Sequence, residues 1–189
     1  MTVASFPVLI VCTGNLCRSP LAEQLLRAHV GEDEYLSFSS AGTRARSGDP
    51  MPEEDAVLST RYGGDPSGHA SRPISPDLVR DAGLVLTASR EHRADVVALH
   101  PRAARYTFTL RQFARLVDAA AQGLPERIAG PEFVAAAAAQ RGYSPPHLPE
   151  DDDIPDPYRR PQGEHERAAR LISEAVERIA PAMRKVGAA

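Results

Sequence analysis

The sequence predicts an α/β fold, a single three-layer domain in which a parallel four-stranded sheet carries helices on both faces. Three observations favour this fold. Short apolar runs alternate along the chain with segments of helical periodicity, as strands and helices do in such domains. The length of 189 residues suits one well-packed core and is short for two domains. A glycine-bearing turn, 12–18, links the first apolar run directly to the first helical segment.

The first predicted strand is the apolar run Pro7–Val11. After the turn, Ser19 is expected to cap a helix and Pro20 to take its first position, where a missing N–H costs nothing. The residues that follow recur at helical spacing and give one apolar face. They are Leu21, Ala22, Leu25, Leu26 and His29.

The middle of the chain supplies the other predicted strands. A second strand is expected at about Tyr35–Ser39, followed by a turn at Ser40–Thr43 and a helix at about Glu53–Tyr62. The continuous apolar run Leu84–Thr87 is typical of a parallel strand that is buried on both faces. Arg105–Phe108 is the candidate for the fourth strand.

The carboxyl-terminal third is less regular. The residues 1–189 are interpreted as one domain with a helical insertion at about 114–152, which contains an alanine run and ends in a proline-rich loop. The acidic run Glu150–Asp153 is expected to be a solvated loop. An amphipathic stripe over Ala168–Ile179 predicts a final helix that packs on the sheet.

Composition excludes several classes of partner. The net charge is −3, so that no broad basic face is expected and nucleic acid is not a predicted partner. The run Pro7–Val11 is too short to span a membrane and lacks the basic leader of an export signal. Two free cysteines then suit the reducing cytoplasm, which is the expected location.

The segment VCTGNLCRSP, from Val11 to Pro20, points to cysteine-based phosphate chemistry. A turn that opens a helix directs several backbone N–H groups at one spot, where the helix dipole also favours an anion. Arg18 adds a planar fork that grips two phosphate oxygens. Cys12 lies at the mouth of this positive site and is expected to be largely thiolate, the nucleophilic form.

The same spacing excludes other phosphate and metal sites. A nucleotide-binding P-loop needs a lysine and a hydroxyl residue after its second glycine, and the dinucleotide motif needs three spaced glycines. Cys12 and Cys17 are the only cysteines, and no second pair of soft ligands follows them. A structural zinc site is therefore not expected.

Two motifs together resemble the low-molecular-weight protein tyrosine phosphatase family. They are the loop Cys12–Pro20 and the triplet Asp156-Pro157-Tyr158, and shorter matches lie between them at 39–43, 69–72 and 84–87. The resemblance covers most of the chain and weakens between 114 and 152. It implies a flavodoxin-like, Rossmann-like fold and hydrolysis of protein phosphotyrosine and small aryl phosphates, with phosphate and vanadate as inhibitory oxyanions.

The resemblance also implies roles for individual residues. Cys12 attacks phosphorus, Arg18 holds the equatorial oxygens with the loop amides, and Asp156 is the general acid and base, with no metal or cofactor. Ser19 donates its hydroxyl to the Cys12 sulfur, and Tyr158 lines the substrate cleft. The remaining phosphate-binding or supporting residues are Thr13, Gly14, Asn15, Leu16, Cys17, Ser40 and His69.

Some alternatives stay open at this stage. A protein-arginine phosphatase branch of the family carries threonine where this chain has Leu16, whose apolar side chain favours an aryl phosphate. An arsenate reductase that uses a small external thiol needs only the nucleophile, whereas the relay form needs three protein thiols. Cys17 either fills the back of the loop or forms a reversible disulfide with Cys12. Ser89 and Arg159 depart from residues that the family often has.

Overall fold

Strands and helices alternate along the chain in the computed structural model, which describes residues 5–31 and 33–188. The strands are β1 (Phe6–Cys12), β2 (Leu36–Gly42), β3 (Leu84–Thr87), β4 (Thr107–Thr109), β5 (Ile128–Ala129) and β6 (Val186–Gly187). The helices are α1 (Arg18–Val30), α2 (Glu53–Arg61), α3 (Pro76–Asp81), α4 (Arg90–Leu99), α5 (Leu110–Ala120), α6 (Gly130–Ala139) and α7 (Gln162–Met183). The first four strands form one parallel sheet in the order β2-β1-β3-β4. This confirms the predicted sheet.

The sheet has an apolar core on each face. Because successive side chains of a strand point to opposite faces, Val8 and Ile10 of β1 enter one core while Leu9 and Val11 enter the other. The first and larger core is covered by α1, α5 and α7, and the second by α3 and α4. The predicted three-layer arrangement is therefore confirmed.

The amphipathic stripe predicted near the end of the chain lies on α7, the longest helix with 22 residues. Its apolar side packs against α1 and α5, and Ile172, Val176 and Ile179 are fully buried there. Among the described residues, none of the helices is both long and apolar enough to cross a membrane.

The chain direction places a crevice at the end of β1. From β1 the chain crosses to β2 on one side, whereas β3 lies on the other side of β1. Ligands of open parallel sheets bind where the connections diverge in this way, beyond the carboxyl ends of the strands. Cys12 is the last residue of β1, and Thr87 is the last of β3.

The boundaries predicted for the second and fourth strands were wrong. The turn expected at Ser40–Thr43 begins only at Thr43, because β2 continues to Gly42 and pairs with β1 as far as Cys12. Tyr35 precedes the strand. The fourth strand is Thr107–Thr109 instead of Arg105–Phe108, and a 3-10 turn occupies the residues before it. The predicted helix after Pro52 and the strand Leu84–Thr87 are present.

The predicted start of α1 was also wrong. The N-cap is Cys17, without a side-chain hydrogen bond, and the helix begins at Arg18. Ser19 is therefore already inside the helix, and Pro20 is its third residue. The Ser19 hydroxyl does not cap because it faces the Cys12 sulfur instead.

The segment 114–152 starts inside α5 and contains α6 with the alanine run. The α5 residues Phe113 and Leu116 are fully buried in the larger core. The acidic run was wrongly expected to be solvated throughout, because Asp152 is 6% exposed and forms a bidentate pair with Arg115 at 2.7 and 2.9 Å. The interpretation of the whole chain as one domain with an insertion stays a prediction.

Candidate active site

The residues after β1 form a tight loop between the strand and α1. Cys12 is only 2% exposed at the end of the strand. The loop returns at Cys17, the N-cap of α1, and among the described residues no side chain caps the first turn of this helix. The amides of this turn can therefore donate to a bound oxyanion, which the helix dipole also favours.

Arg18 is a buried arginine whose guanidinium is held on several sides. It is 5% exposed. Its Nη1 donates to the carbonyl oxygen of Ile154 at 3.0 Å. Its Nη2 donates to the Thr13 hydroxyl at 3.3 Å and forms an ion pair with Asp156 Oδ2 at 3.0 Å. The fork is thus oriented by the segment that carries Asp156 as well as by the loop itself.

Asp156 reaches the loop from a proline-rich segment close to α7. The backbone N–H of Tyr158 donates to its Oδ1 at 3.3 Å, while Oδ2 contacts Arg18. Its flanking prolines, Pro155 and Pro157, restrict the backbone around it. The structure therefore brings Asp156 and Cys12 into one site, although they lie near opposite ends of the sequence.

The Ser19 hydroxyl lies next to the Cys12 sulfur. Its oxygen is 3.1 Å from Sγ, and it accepts a hydrogen bond from Asn15 Nδ2 at 2.9 Å. Because the Asn15 amide supplies that hydrogen, the hydrogen of the Ser19 hydroxyl remains for the sulfur at 3.1 Å or for the more distant carbonyl oxygen of Ala41 at 3.5 Å. A thiolate can accept such a bond, so the hydroxyl is placed to interact directly with the Cys12 sulfur.

Asn15 shapes the loop from inside. It has a positive φ of 54° and is fully buried. Its Nδ2 also donates to Ser40 Oγ at 2.8 Å, and its Oδ1 accepts from the backbone of Arg72 at 2.9 Å. His69 Nε2 is 2.8 Å from the Asn15 carbonyl oxygen. These contacts compensate for a conformation that costs free energy in a residue other than glycine.

Gly42 allows this loop to lie directly against β2. A Cβ at this position would be 2.5 Å from the carbonyl oxygen of Thr13 and 2.8 Å from the backbone nitrogen of Asn15. The amides of Thr43 and Arg44 donate to the carbonyls of Cys12 and Thr13, both at 2.9 Å. The close approach therefore requires glycine at the end of β2.

A cleft of about 290 Å³ opens above the sulfur. Leu16 and Tyr158 supply apolar walls, and Tyr158 is 44% exposed. The other residues that line the cleft are Cys12, Thr13, Gly14, Cys17, Arg18, Arg44, Arg46, Asp49 and Asp156. A larger cavity of about 490 Å³ lies behind Ser40, His69 and Arg72, and no cysteine lines it.

The sequence analysis missed several of these residues. Arg44, Arg46 and Asp49 follow β2 in a segment without a recognisable motif, and only their position beside the sulfur identifies them. No sequence pattern indicates a role for His92, yet its ring lies between the Thr13 hydroxyl and Ser89 Oγ, at 2.8 Å from each. Burial, followed by the nearby Arg18 charge, lowers the pKa of His92 to about 4, so the imidazole is neutral at neutral pH.

The two cysteines have different surroundings. Burial raises the pKa of the Cys17 thiol, and the Asp55 carboxylate raises it further. Asp55 is itself buried and contacts His165 Nδ1 at 2.9 Å. Cys17 is therefore held as a neutral thiol, whereas Cys12 faces a hydroxyl donor.

Comparison with known proteins relates this chain to one protein family. The model of the family described as low molecular weight phosphotyrosine protein phosphatase matches residues 7–133. The Escherichia coli K12 low molecular weight protein-tyrosine-phosphatase Etp is 27% identical over 168 residues, which are 89% of this chain and 88% of Etp. The Bacillus subtilis protein-arginine-phosphatase is 32% identical over 109 residues, 56% of this chain and 71% of that protein. The structure of Vibrio vulnificus Wzb in complex with benzylphosphonate is similar in fold, with a TM-score of 0.68 and 22% identity over 95% of this chain and 99% of Wzb.

We expect Gly42→Ala to weaken the binding of oxyanions, because the added Cβ would displace the backbone at Thr13 and Asn15. Overpacking of this kind typically costs about 1–3 kcal/mol of folding free energy. If the displaced loop loses one hydrogen bond to the anion, vanadate affinity and kcat/KM for an aryl phosphate should each fall on the order of tenfold. Vanadate titration and steady-state kinetics measure both.

The matched control is Gly123→Ala, because a Cβ at Gly123 meets no atom within 4 Å. This variant should retain the parent's affinity and rate. Parent-like vanadate affinity in a folded Gly42→Ala protein would contradict the steric interpretation.

Proposed function

This chain belongs to the low molecular weight phosphotyrosine protein phosphatase family, and we propose that it hydrolyses protein phosphotyrosine and small aryl phosphates through a phosphocysteine intermediate. One observation carries the proposal. The Cys12 sulfur, the Arg18 guanidinium and the Asp156 carboxyl line the same cleft, with the Ser19 hydroxyl 3.1 Å from the sulfur.

The first step transfers the phosphoryl group to the protein. The Cys12 thiolate attacks phosphorus in line, so that an S–P bond forms while the P–O bond to the leaving group breaks. Arg18 and the amides of the first turn of α1 hold the three equatorial oxygens. Asp156 protonates the departing phenolate oxygen and becomes a carboxylate.

The second step releases phosphate. The Asp156 carboxylate accepts a proton from a water molecule, whose oxygen attacks phosphorus as the S–P bond breaks. The electron pair of that bond returns to Cys12. The Ser19 hydroxyl then stabilises the thiolate, which makes the sulfur a better leaving group.

The contact between Arg18 and Asp156 helps to explain how the acid is prepared. Asp156 Oδ2 pairs with Arg18 Nη2 at 3.0 Å. A substrate phosphate competes for the same guanidinium and brings its own negative charge beside the carboxyl. The carboxyl is thereby released from Arg18 next to the leaving oxygen.

The walls of the cleft favour an aryl phosphate. Leu16 and Tyr158 are apolar or aromatic surfaces against which a phenyl ring can pack. Phosphoserine is too short to reach a sulfur at the bottom of such a cleft. Arg44 and Arg46 on another wall add positive charge, which suits acidic protein substrates and the oxyanions phosphate and vanadate.

Two other activities use the same kind of loop. The similarity to the Bacillus subtilis protein-arginine-phosphatase supports hydrolysis of phosphoarginine as the second candidate function. Leu16 favours the aryl substrate over it. Asp156 in the cleft favours ester hydrolysis over reduction of arsenate, because arsenate has no leaving phenolate to protonate.

The location and the redox behaviour belong to the proposal as well. Both cysteines are free and buried. Because the nucleophile must stay reduced, we assign the protein to the cytoplasm. Peroxide would convert the Cys12 thiolate to a sulfenic acid. The Cys17 sulfur then attacks the Cys12 sulfur, and an S–S bond forms as the S–OH bond breaks and the hydroxide leaves as water with the thiol proton of Cys17.

We expect hydrolysis of p-nitrophenyl phosphate that persists in excess EDTA and is inhibited by vanadate. Cys12→Ser should reduce this activity to background, because the serine hydroxyl is not ionised at neutral pH and is a poor nucleophile here. Phosphate release is the measurement. Equal activity in the parent and a folded Cys12→Ser protein would overturn the proposed reaction.

We expect Asp156→Asn to affect poor leaving groups most. The variant cannot donate a proton, so kcat for phenyl phosphate should fall on the order of 100-fold or more, and kcat for p-nitrophenyl phosphate much less. Asp153→Asn is the matched control, because this nearby carboxyl pairs with Arg90 instead of Arg18. A larger loss of kcat for phenyl phosphate in Asp153→Asn than in Asp156→Asn would show that Asp156 is not the general acid.

We expect a phosphotyrosine peptide to have a higher kcat/KM than the same peptide with phosphoarginine. Leu16→Thr should narrow this difference, because it removes apolar surface from the cleft wall. Phosphate release from the two peptides is compared at equal concentration, with a phosphoserine peptide as the unreactive control. Faster turnover of phosphoarginine by the parent would reverse the assignment of substrate.

A further inference from the structure

We propose that His92 is a positioning residue for the phosphatase reaction, because its ring orients the Thr13 hydroxyl that holds the Arg18 guanidinium. The inference rests on the proposed function, since it concerns the group that holds the phosphoryl oxygens. His92 lies on α4, in a different part of the chain from the catalytic loop.

A continuous series of polar contacts joins His92 to Arg18. Ser89 Oγ is 2.8 Å from His92 Nδ1, and His92 Nε2 is 2.8 Å from Thr13 Oγ1. Arg18 Nη2 donates to the same Thr13 oxygen at 3.3 Å. The ring is 4% exposed and both of its nitrogens are engaged.

The chemistry of the groups fixes the direction of the Arg18 bond and favours one tautomer of His92. Arginine only donates, so Thr13 Oγ1 accepts from Arg18 and keeps its own hydrogen for another acceptor. The low pKa of His92 leaves the ring neutral, with one nitrogen that accepts and one that donates. We assign Nε2 as the acceptor from Thr13 and Nδ1–H as the donor to Ser89 Oγ, because this tautomer uses the Thr13 hydrogen as well as its lone pair. This tautomer turns a lone pair of Thr13 towards Arg18.

The Thr13 contact matters most while Asp156 is acting as the acid. Among the residues that the structure describes, Arg18 Nη2 contacts Thr13 and Asp156. The proposed mechanism removes the Asp156 contact when substrate binds. The Thr13 hydroxyl is then the remaining protein contact of Nη2, while Ile154 continues to hold Nη1. A misdirected hydroxyl would let the fork rotate as charge builds up on the phosphoryl oxygens.

A purely structural role for His92 makes different predictions. Ser89 caps α4 by accepting from the backbone N–H of His92 at 3.3 Å, a bond that does not need the ring. The ring could then serve only to fill space between α4 and the loop. In that case its removal would lower stability and leave vanadate affinity and kcat unchanged in the folded protein.

The central experiment is a double-mutant cycle between His92→Phe and Thr13→Val. Phenylalanine keeps the ring and removes both nitrogens, and valine keeps the shape of threonine without the hydroxyl. Each single variant should lose roughly five- to tenfold in kcat and in vanadate affinity, as expected for one hydrogen bond. KM should change less than kcat, because Arg18 acts most strongly in the transition state.

The double variant should be no worse than the worse single variant, since both substitutions remove the same link. His92→Gln, whose amide lies near the position of Nε2, should recover part of the loss. His92→Asn, whose amide lies near Nδ1 and retains only the Ser89 side, should not.

A pair of serine variants supplies the matched control. Ser75 and Ser89 each cap a helix by accepting from a backbone N–H, but only Ser89 also contacts His92. Both Ser75→Ala and Ser89→Ala should melt at lower temperature, because a lost cap typically costs about 1 kcal/mol. Only Ser89→Ala should lower kcat and vanadate affinity.

Several outcomes would overturn the inference. They are additive losses in the cycle, a His92→Phe variant with parent-like kcat and vanadate affinity, or equal kinetic effects of the two serine variants. If His92→Phe does not fold, kcat and vanadate affinity of the two serine variants and of His92→Gln test the inference instead. Failure of the proposed function gives a different result. The parent would then hydrolyse no substrate but would still bind vanadate at Arg18. If the inference holds, His92→Phe would still lower this vanadate affinity.

Discussion

The buried side chain of Asn15 is the constraint on which the site depends. Its backbone is held in the left-handed region, and its carboxamide contacts Ser19, Ser40 and the backbone of Arg72. These bonds offset the cost of the conformation, because each buried polar group in the network has a partner. The bond to Ser19 also leaves the hydroxyl hydrogen for an acceptor, of which the Cys12 sulfur at 3.1 Å is the nearer. The same side chain therefore shapes the loop and orients the Ser19 hydroxyl beside the Cys12 sulfur.

The parallel sheet explains why so many distant segments meet there. The loop follows β1, the close approach of Gly42 comes at the end of β2, and His92 belongs to the helix that follows β3. All three positions lie at the carboxyl ends of neighbouring strands, where the crossover connections diverge. The chain after α6 then supplies Ile154 and Asp156 across the crevice. The sheet and the proline-rich segment before α7 thus together position the groups that contact Arg18.

The two cysteines show how local surroundings separate chemically identical groups. Cys12 has a hydroxyl beside its sulfur and a buried arginine in the same cleft. Cys17 lies in the same loop, and its pKa is raised because it is buried near the Asp55 carboxylate. Burial and the neighbouring negative charge both disfavour a thiolate at Cys17. One short loop therefore places its two sulfurs in different electrostatic surroundings.

The sequence by itself determined the α/β fold, its sheet and the chemistry of the loop, because strand and helix periodicity and the spacing from Cys12 to Arg18 are local properties. It also indicated Asp156 as a site residue, because Asp156-Pro157-Tyr158 resembles a motif of the phosphatase family. Only the tertiary structure decided that Ser19 faces the sulfur instead of capping α1, and that His92 supports Thr13 from 79 positions away. Such contacts depend on which strands become neighbours and how closely their backbones approach. No short-range pattern encodes that geometry, since the hydrogen bonds that define it form only when the sheet and its helices have assembled.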